Sequence, residues 1–146
     1  MAQETLKIEQ AIGLIACVPG YEVVAQSLTR RTIRFVPTLI DRGQATLTGV
    51  ILLGSEALDG GLVGLAETLV HEEFHTRQSH LLKTHSFWSG VFTQTAVMAR
   101  YERPAYQAAL DFLAALAHAC PEHADEARAD SEAIRASYAL NYRLAL

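Results

Sequence analysis

The sequence predicts a mainly helical α+β fold in which a small β-sheet precedes a central helix. Residues 32–36 and 45–53 have the β-branched and aromatic composition of strands, and Asp41-Arg42-Gly43-Gln44 joins them. Most of the remaining chain repeats apolar residues at helical spacing. Because half of the 146 residues are hydrophobic, there is enough apolar material for one packed core. We therefore expect one domain over residues 1–146.

The first predicted element is a helix over residues 4–16, which Pro19-Gly20 follows as a stop signal. Its core-facing residues are expected to be Leu6, Ile8, Ala11, Ile12 and Ile15. The central helix is predicted after the strands, as an amphipathic helix over about residues 61–82. Asp59 is its candidate N-cap.

The most informative stretch of the chain is His71-Glu72-Glu73-Phe74-His75, which has the spacing H-E-x-x-H. Because residues four apart share one face of a helix, both imidazoles can bind the same ion. Glu72 then lies on the flank of that site as a candidate general base, whereas Glu73 is expected to point to solvent or to support the site. The alternative is that the motif forms no metal site and lies on a surface helix whose histidines face water.

A catalytic zinc ion needs three protein ligands and one open position. Glu102 is the candidate third ligand, because it is the only acidic residue between Phe74 and Leu110. Its alternative role is an exposed glutamate paired with Arg100 or Arg103. His85 is the second choice as a ligand, and His80, five positions after His75, points to another face of the helix.

Further helices are predicted after the central one. Ser86 is a candidate cap for a helix over residues 87–100, and Pro104 is expected to kink or break the chain next to Glu102. Residues 105–119 form the next apolar helical face, and Pro121 starts a new segment. The last helix is predicted over residues 122–146, with candidate packing residues Ile134, Tyr138, Tyr142 and Leu144.

The set His71, Glu72, His75 and Glu102 resembles the zinc site of the gluzincin metallopeptidases, and of their smallest, minigluzincin-like members in particular. Glu102-Arg103-Pro104-Ala105 is similar to the E-x-x-A sequence around the third ligand in many of them. The resemblance covers roughly residues 45–118. A metzincin site is excluded, because positions 78 and 81, where that family has glycine and histidine, hold Gln78 and Leu81.

This resemblance implies a zincin-like fold, a Zn²⁺ cofactor held by His71, His75 and Glu102, and a hydrolase that cleaves peptide bonds. The expected function is a zinc-dependent metallopeptidase acting through a zinc-activated water, with Glu72 as the general base and a peptide or protein as substrate. It also implies that a strand over residues 46–53 borders the cleft and pairs with the substrate along its edge. The alternative is an ordinary internal strand without a free edge.

The oxyanion formed during hydrolysis needs a hydrogen-bond donor that the motif does not specify. Tyr106, one helical turn after Glu102, is the first choice as this catalytic residue. The rivals are Tyr101, His80, His85, Tyr138 and Tyr142.

Composition limits the partners. A net charge of −4 and a pI near 5.8 argue against nucleic acid as the main partner. The apolar segment 11–18 is too short to span a bilayer, and the first residues lack the basic character of a secretory signal, so we expect a cytoplasmic protein that does not bind membranes. Cys17 and Cys120 are expected to be buried thiols. The oligomeric state stays open.

Two other functions are compatible with the same residues. The first is a catalytically inactive zinc-binding domain that serves as an interaction module. The second is a helical carboxylate protein with a di-iron site, because Glu72 and His75 also form E-x-x-H. No other glutamate has a histidine three positions later, which disfavours the di-iron site.

Overall fold

The computed structural model of the chain describes residues 2–78 and 95–142. This part is mainly helical with one small sheet, in agreement with the predicted α+β class. The elements in chain order are α1 (Ala2–Ala16), α2 (Glu22–Thr29), β1 (Ile33–Phe35), β2 (Gly43–Ala45), β3 (Ile51–Leu53), α3 (Ser55–Asp59), α4 (Gly61–Arg77), α5 (Thr95–Ala119), a 3-10 turn (Pro121–His123) and α6 (Ala124–Tyr142).

The sheet has three strands in the order β1-β3-β2. β1 runs parallel to β3, with Ile33 opposite Ile51, and β2 runs antiparallel to it, with Gly43 opposite Leu53. The prediction of one strand over residues 45–53 was therefore wrong. A turn separates two strands, because Gly49 adopts a φ of 81° and its N–H donates to the Thr46 carbonyl at 3.0 Å.

The order of the strands also shows which part of the sheet has a free edge beside the cleft. Of the 46–53 segment predicted to border the cleft, Thr46, Leu47 and Thr48 line it. Its strand, β3, is the central one, so the alternative of an internal strand without a free edge holds for β3. β2 is the edge strand next to α4, and it begins at Gly43, inside the segment predicted to be a connection.

Helix α4 lies at the centre of the molecule, in contact with α1, α2, α3, α5, α6 and β2. All its residues from Val63 to Glu73 are buried, so the prediction of an amphipathic helix was wrong. It ends at Arg77, before the predicted residue 82, because Gln78 has an extended backbone. Asp59 ends α3 instead of capping α4, whose N-cap is Gly60.

The flanking helices follow the predicted pattern with some exceptions. Ala11 and Ile15 of α1 are buried, whereas Leu6 is 53% exposed because it lies on the outer side of the helix. The short helices α2 and α3 were not predicted. Cys17 is exposed and Cys120 half-buried, so the expectation of two buried thiols was wrong; Cys17 lies in the turn that leaves α1.

Of the kink or break predicted at Pro104, the break is wrong, because α5 is continuous from Thr95 to Ala119. The proline removes one main-chain hydrogen bond, the one to the Arg100 carbonyl, at an exposed position of the helix. The predicted cap Ser86 and the residues 87–94 of the predicted helix lie outside the described residues, as does Leu144. Ile134 and Tyr138 of α6 are buried as predicted.

Across residues 2–78 and 95–142, none of the helices combines the length and the apolar character needed to cross a bilayer.

Candidate metal centre

Two adjacent helices bring the predicted ligands together. α4 contributes His71 and His75, which are 9% and 3% exposed, and α5 contributes Glu102. The Nε2 atoms of His71 and His75 lie 3.1 Å apart, and each lies 3.1 Å from Oε2 of Glu102. The three ligand atoms thus form a compact triangle that could hold a metal ion.

The size of this triangle can be compared with a known coordination geometry. Zinc bonds to imidazole nitrogen and carboxylate oxygen of about 2.0–2.1 Å, at tetrahedral angles, place neighbouring ligand atoms about 3.3 Å apart. The observed separations of 3.1 Å are close to that value. Two imidazole nitrogens and one carboxylate oxygen are also a donor set that binds zinc, so the residues fit the ion that the resemblance implies.

A hydrogen bond on the Nδ1 side of His75, away from the other two candidate ligands, fixes the orientation of its ring. Its Nδ1 lies 2.5 Å from Oε1 of Gln78, and because an amide oxygen only accepts, Nδ1 carries the proton. The Gln78 amide in turn donates to the Tyr101 carbonyl at 2.9 Å, and the Tyr101 ring stacks on His75 at 4.2 Å between ring centroids. Nε2 of His75 is therefore left as a free lone pair that faces Glu102 and His71.

The electrostatics of the cluster favour one proton at its centre when no metal is bound. Burial alone would lower the pKa of His71, but the hydrogen bond to Glu102 and the nearby carboxylates outweigh burial and raise that pKa to about 9. Burial would raise the pKa of Glu102, yet the hydrogen bond from His71 and the close contact with His75 lower it to about 2. At neutral pH a metal ion must therefore displace a proton from His71.

Glu72 lies beside the triangle and is 5% exposed. Burial raises the pKa of its carboxyl group, an effect that His71, His75 and a hydrogen bond from the Ala45 amide partly offset. The Ala45 amide belongs to β2, so the edge strand of the sheet contacts the candidate general base directly.

Glu73 was expected either to point to solvent or to support the site, and the structure shows that it does not point to solvent. Its side chain is fully buried and accepts a hydrogen bond from Nε of Arg77 at 2.9 Å. Glu67, one turn before His71, is also buried, and it accepts from Nη1 of Arg42 at 3.4 Å. These two arginines are the ion-pair partners of Glu67 and Glu73.

Four tyrosines surround the cluster. The Tyr106 ring packs edge-on against His71 at 4.7 Å between ring centroids, and burial raises the pKa of its hydroxyl to about 12. Tyr138 is fully buried behind Tyr106, while Tyr142 extends the aromatic row along α6. Burial raises the pKa values of Tyr101 and Tyr142 as well, so the phenols of Tyr101, Tyr106 and Tyr142 stay protonated at neutral pH.

The metal-ligand triangle opens into a cleft of about 1140 Å³. α4 and α5 form its floor, β2 and the turn that follows it form one wall, and the second half of α6 forms the opposite wall. The α6 residues on that wall are Ala133, Ile134, Ser137, Asn141 and Tyr142.

The structure thus brings His71, His75 and Glu102 together, with Glu72 and Tyr106 beside them. The alternative in which Glu102 is an exposed partner of an arginine does not apply, because its side chain is 16% exposed and bonded to both histidines. His80 and His85 lie outside the described residues. Sequence reasoning missed Gln78, Arg42 and Gly43; the spacing of Gln78, three positions after His75, was the one local signal available.

Comparison of the chain with models of known protein families, with curated proteins and with solved structures gives no match.

The thermal stability of the metal-free protein should fall as the pH rises from about 7 to 9. The pKa of His71 is raised from 6.5 to about 9 by folding, so the stabilisation by its charged form is complete below pH 6.5 and is lost as the pH passes 9. Added zinc should reverse the slope, because proton competition for His71 weakens over the same range. Melting curves in EDTA and in excess zinc measure both slopes. A metal-free melting temperature that rises across this range, or the same slope in His71→Asn, would contradict the assignment.

Gln78→Leu should lower the affinity for zinc about 10- to 100-fold, because His75 loses the acceptor that fixes its protonated Nδ1. Competition with a chromogenic chelator measures the affinity. Gln107→Leu is the matched control, since Gln107 is exposed and bonds only to Asp111 among the described residues. Equal affinities for the two variants would show that Gln78 does not orient His75.

Proposed function

We propose that this protein is a zinc-dependent peptidase of the gluzincin type. The observation that carries the proposal is the triangle of His71, His75 and Glu102 ligand atoms, 3.1 Å on each side, with a buried glutamate beside it at the floor of an open cleft. Two histidines and one glutamate leave a fourth position of a tetrahedral zinc open, as catalysis requires.

The zinc ion, when bound, lowers the pKa of water toward about 7 and polarises the scissile carbonyl. Glu72 acts as the general base: its carboxylate accepts the proton of the attacking water and returns it to the leaving amine. Burial supports this role, because it raises the pKa of Glu72 and so makes its carboxylate a stronger base.

Tyr106 donates a hydrogen bond to the oxyanion of the tetrahedral intermediate. Its position against the His71 ring, on the floor of the cleft, supports this role, and its raised pKa keeps the hydroxyl proton available. Tyr142 is the rival donor, since it reaches the cleft from the opposite wall.

The substrate is an extended segment of peptide or protein. The cleft of about 1140 Å³ has an edge strand along one side, which is the arrangement that β-strand addition requires. The strand that pairs with the substrate is β2, in place of the 46–53 strand expected from the sequence. The exposed side chains of Ile40 and Leu47 stand at this edge and offer apolar contacts to the substrate.

Purified protein reconstituted with zinc should contain one zinc ion per chain, whereas Glu102→Ala should contain little, because it removes one of three ligands. Glu72→Gln should keep the zinc and lose hydrolysis of fluorescein-labelled casein by at least about 100-fold, since the amide cannot accept a proton. Metal analysis and initial rates on the same samples provide both values.

Glu132→Ala is the control for the loss of a carboxylate, because Glu132 is exposed on α6 outside the cleft lining. Loss of zinc in Glu72→Gln would make Glu72 a ligand and end its assignment as the base. One zinc ion per chain without hydrolysis of any peptide would favour the inactive interaction module, and absence of zinc would end the peptidase proposal.

Tyr106→Phe should lower kcat about 10- to 1000-fold with little change in zinc content, because it removes a single oxyanion donor. Tyr142→Phe should have a much smaller effect on kcat. Steady-state rates of the two variants, measured on the same casein substrate, compare the donors directly. A larger loss in Tyr142→Phe would transfer the role to Tyr142.

A further inference from the structure

Strand β2 and the side chain of Glu72 approach each other unusually closely. A Cβ atom at position 43 would lie 2.8 Å from Cγ and 2.9 Å from Oε1 of Glu72, distances that real Cβ atoms do not show. Gly43 lies in a strand and its φ is not positive, so its backbone does not require glycine. The reason for glycine here is therefore the space that Glu72 occupies.

The same strand also bonds to Glu72 through its main chain. In the antiparallel ladder, Thr46 N–H donates to the Val50 carbonyl and Gly54 N–H to the Arg42 carbonyl, so the hydrogen-bonding groups of residues 42, 44 and 46 face β3. By alternation, the N–H of Ala45 faces the outer edge, where it donates to the Glu72 carboxylate. A donor to the charged form holds that carboxylate in one place.

Arg42, the residue before Gly43, fastens the strand to α4. Its guanidinium donates to the Glu67 carboxylate at 3.4 Å and to the Gly64 carbonyl at 3.1 Å. A Cβ atom on Gly64 would lie 2.8 Å from Nη2 of Arg42, so a second glycine makes room for this contact. The distance between β2 and α4 is thereby set about one to two turns before Glu72.

We propose that β2 positions the carboxylate of Glu72, with Gly43 leaving the space for its side chain and the Ala45 amide holding its oxygen. Gly43 and Ala45 are thus positioning residues for the general base, and this catalytic consequence rests on the proposed peptidase function. The substrate then pairs with the outward groups of β2 other than the Ala45 amide, because Glu72 already occupies that donor.

A double-mutant cycle on thermal stability tests the contact without any need for activity. Gly43→Ala should lower the melting temperature of the parent by about 3–10 °C, because the added methyl group overpacks the buried site. Gly43→Ala should lower the melting temperature of the Glu72→Gln variant by the same amount, since the glutamine side chain has the same shape as that of glutamate. In the Glu72→Ala variant, the loss of melting temperature caused by Gly43→Ala should largely vanish. The contact of the added methyl group with the Thr68 methyl group, at 3.0 Å, remains and is the same in the parent and in both Glu72 variants.

Gly13→Ala is the matched control, because nothing lies within 4 Å of its added Cβ atom and it should not lower the melting temperature. Ala45→Pro tests the amide separately. Proline is tolerated in an edge strand where the N–H faces outward, so this substitution removes the donor to Glu72 and spares the ladder. It should therefore destabilise the parent more than it destabilises Glu72→Ala.

Activity provides the second measurement. With zinc content unchanged, Gly43→Ala and Ala45→Pro should each lower kcat on fluorescein-labelled casein about 100-fold, since a misplaced base loses its alignment. An equal Gly43→Ala penalty in the parent and in Glu72→Ala would overturn the proposal, as would full kcat in both variants. If the parent hydrolyses no substrate, the proposed function fails, whereas the stability cycle still decides whether β2 holds Glu72.

Discussion

The burial of α4 is the constraint on which the rest of the structure depends. This helix is enclosed by its neighbours and yet carries the buried polar side chains Glu67, Thr68, His71, Glu72, Glu73 and His75. Polar groups in such a position destabilise the fold unless they are hydrogen-bonded or paired with charge. The partners come from three places: Arg42 and Ala45 come from the β2 side, Glu102 comes from α5, and Arg77 and Gln78 come from the end of α4 itself.

The distribution of charge along α4 provides a second argument for metal binding at the candidate centre. Arg42 balances Glu67 and Arg77 balances Glu73, so two of the buried carboxylates are neutralised by protein groups. Glu72 and Glu102 face the histidines, where among the described residues no arginine or lysine pairs with them. A divalent cation at the triangle would balance both carboxylates, which is an electrostatic argument for metal binding that is independent of the histidine spacing.

The candidate ligands could be predicted from the sequence because the spacing of residues along a helix fixes which side chains share a face. His71 and His75 share a face of the helix regardless of how the helix packs. Glu102 was identified because no other acidic residue lies between Phe74 and Leu110. The division of residues 45–53 into an edge strand and a central strand depended on tertiary pairing, so it was not predictable from composition. The burial of Glu73 depended likewise on enclosure of α4 from all sides, which a periodic pattern does not reveal.

The position of β2 explains how an edge strand can lie beside the proposed catalytic site without pairing indiscriminately with other chains. Exposed strand edges pair readily with other chains, and proteins protect them by shortening or covering the strand. β2 has only three residues, and the outward amide of Ala45 is occupied by Glu72. A foreign strand cannot pair along the whole edge without displacing a buried carboxylate from its hydrogen bond, which is costly. The contact that holds Glu72 therefore also limits the length of edge that another chain can use.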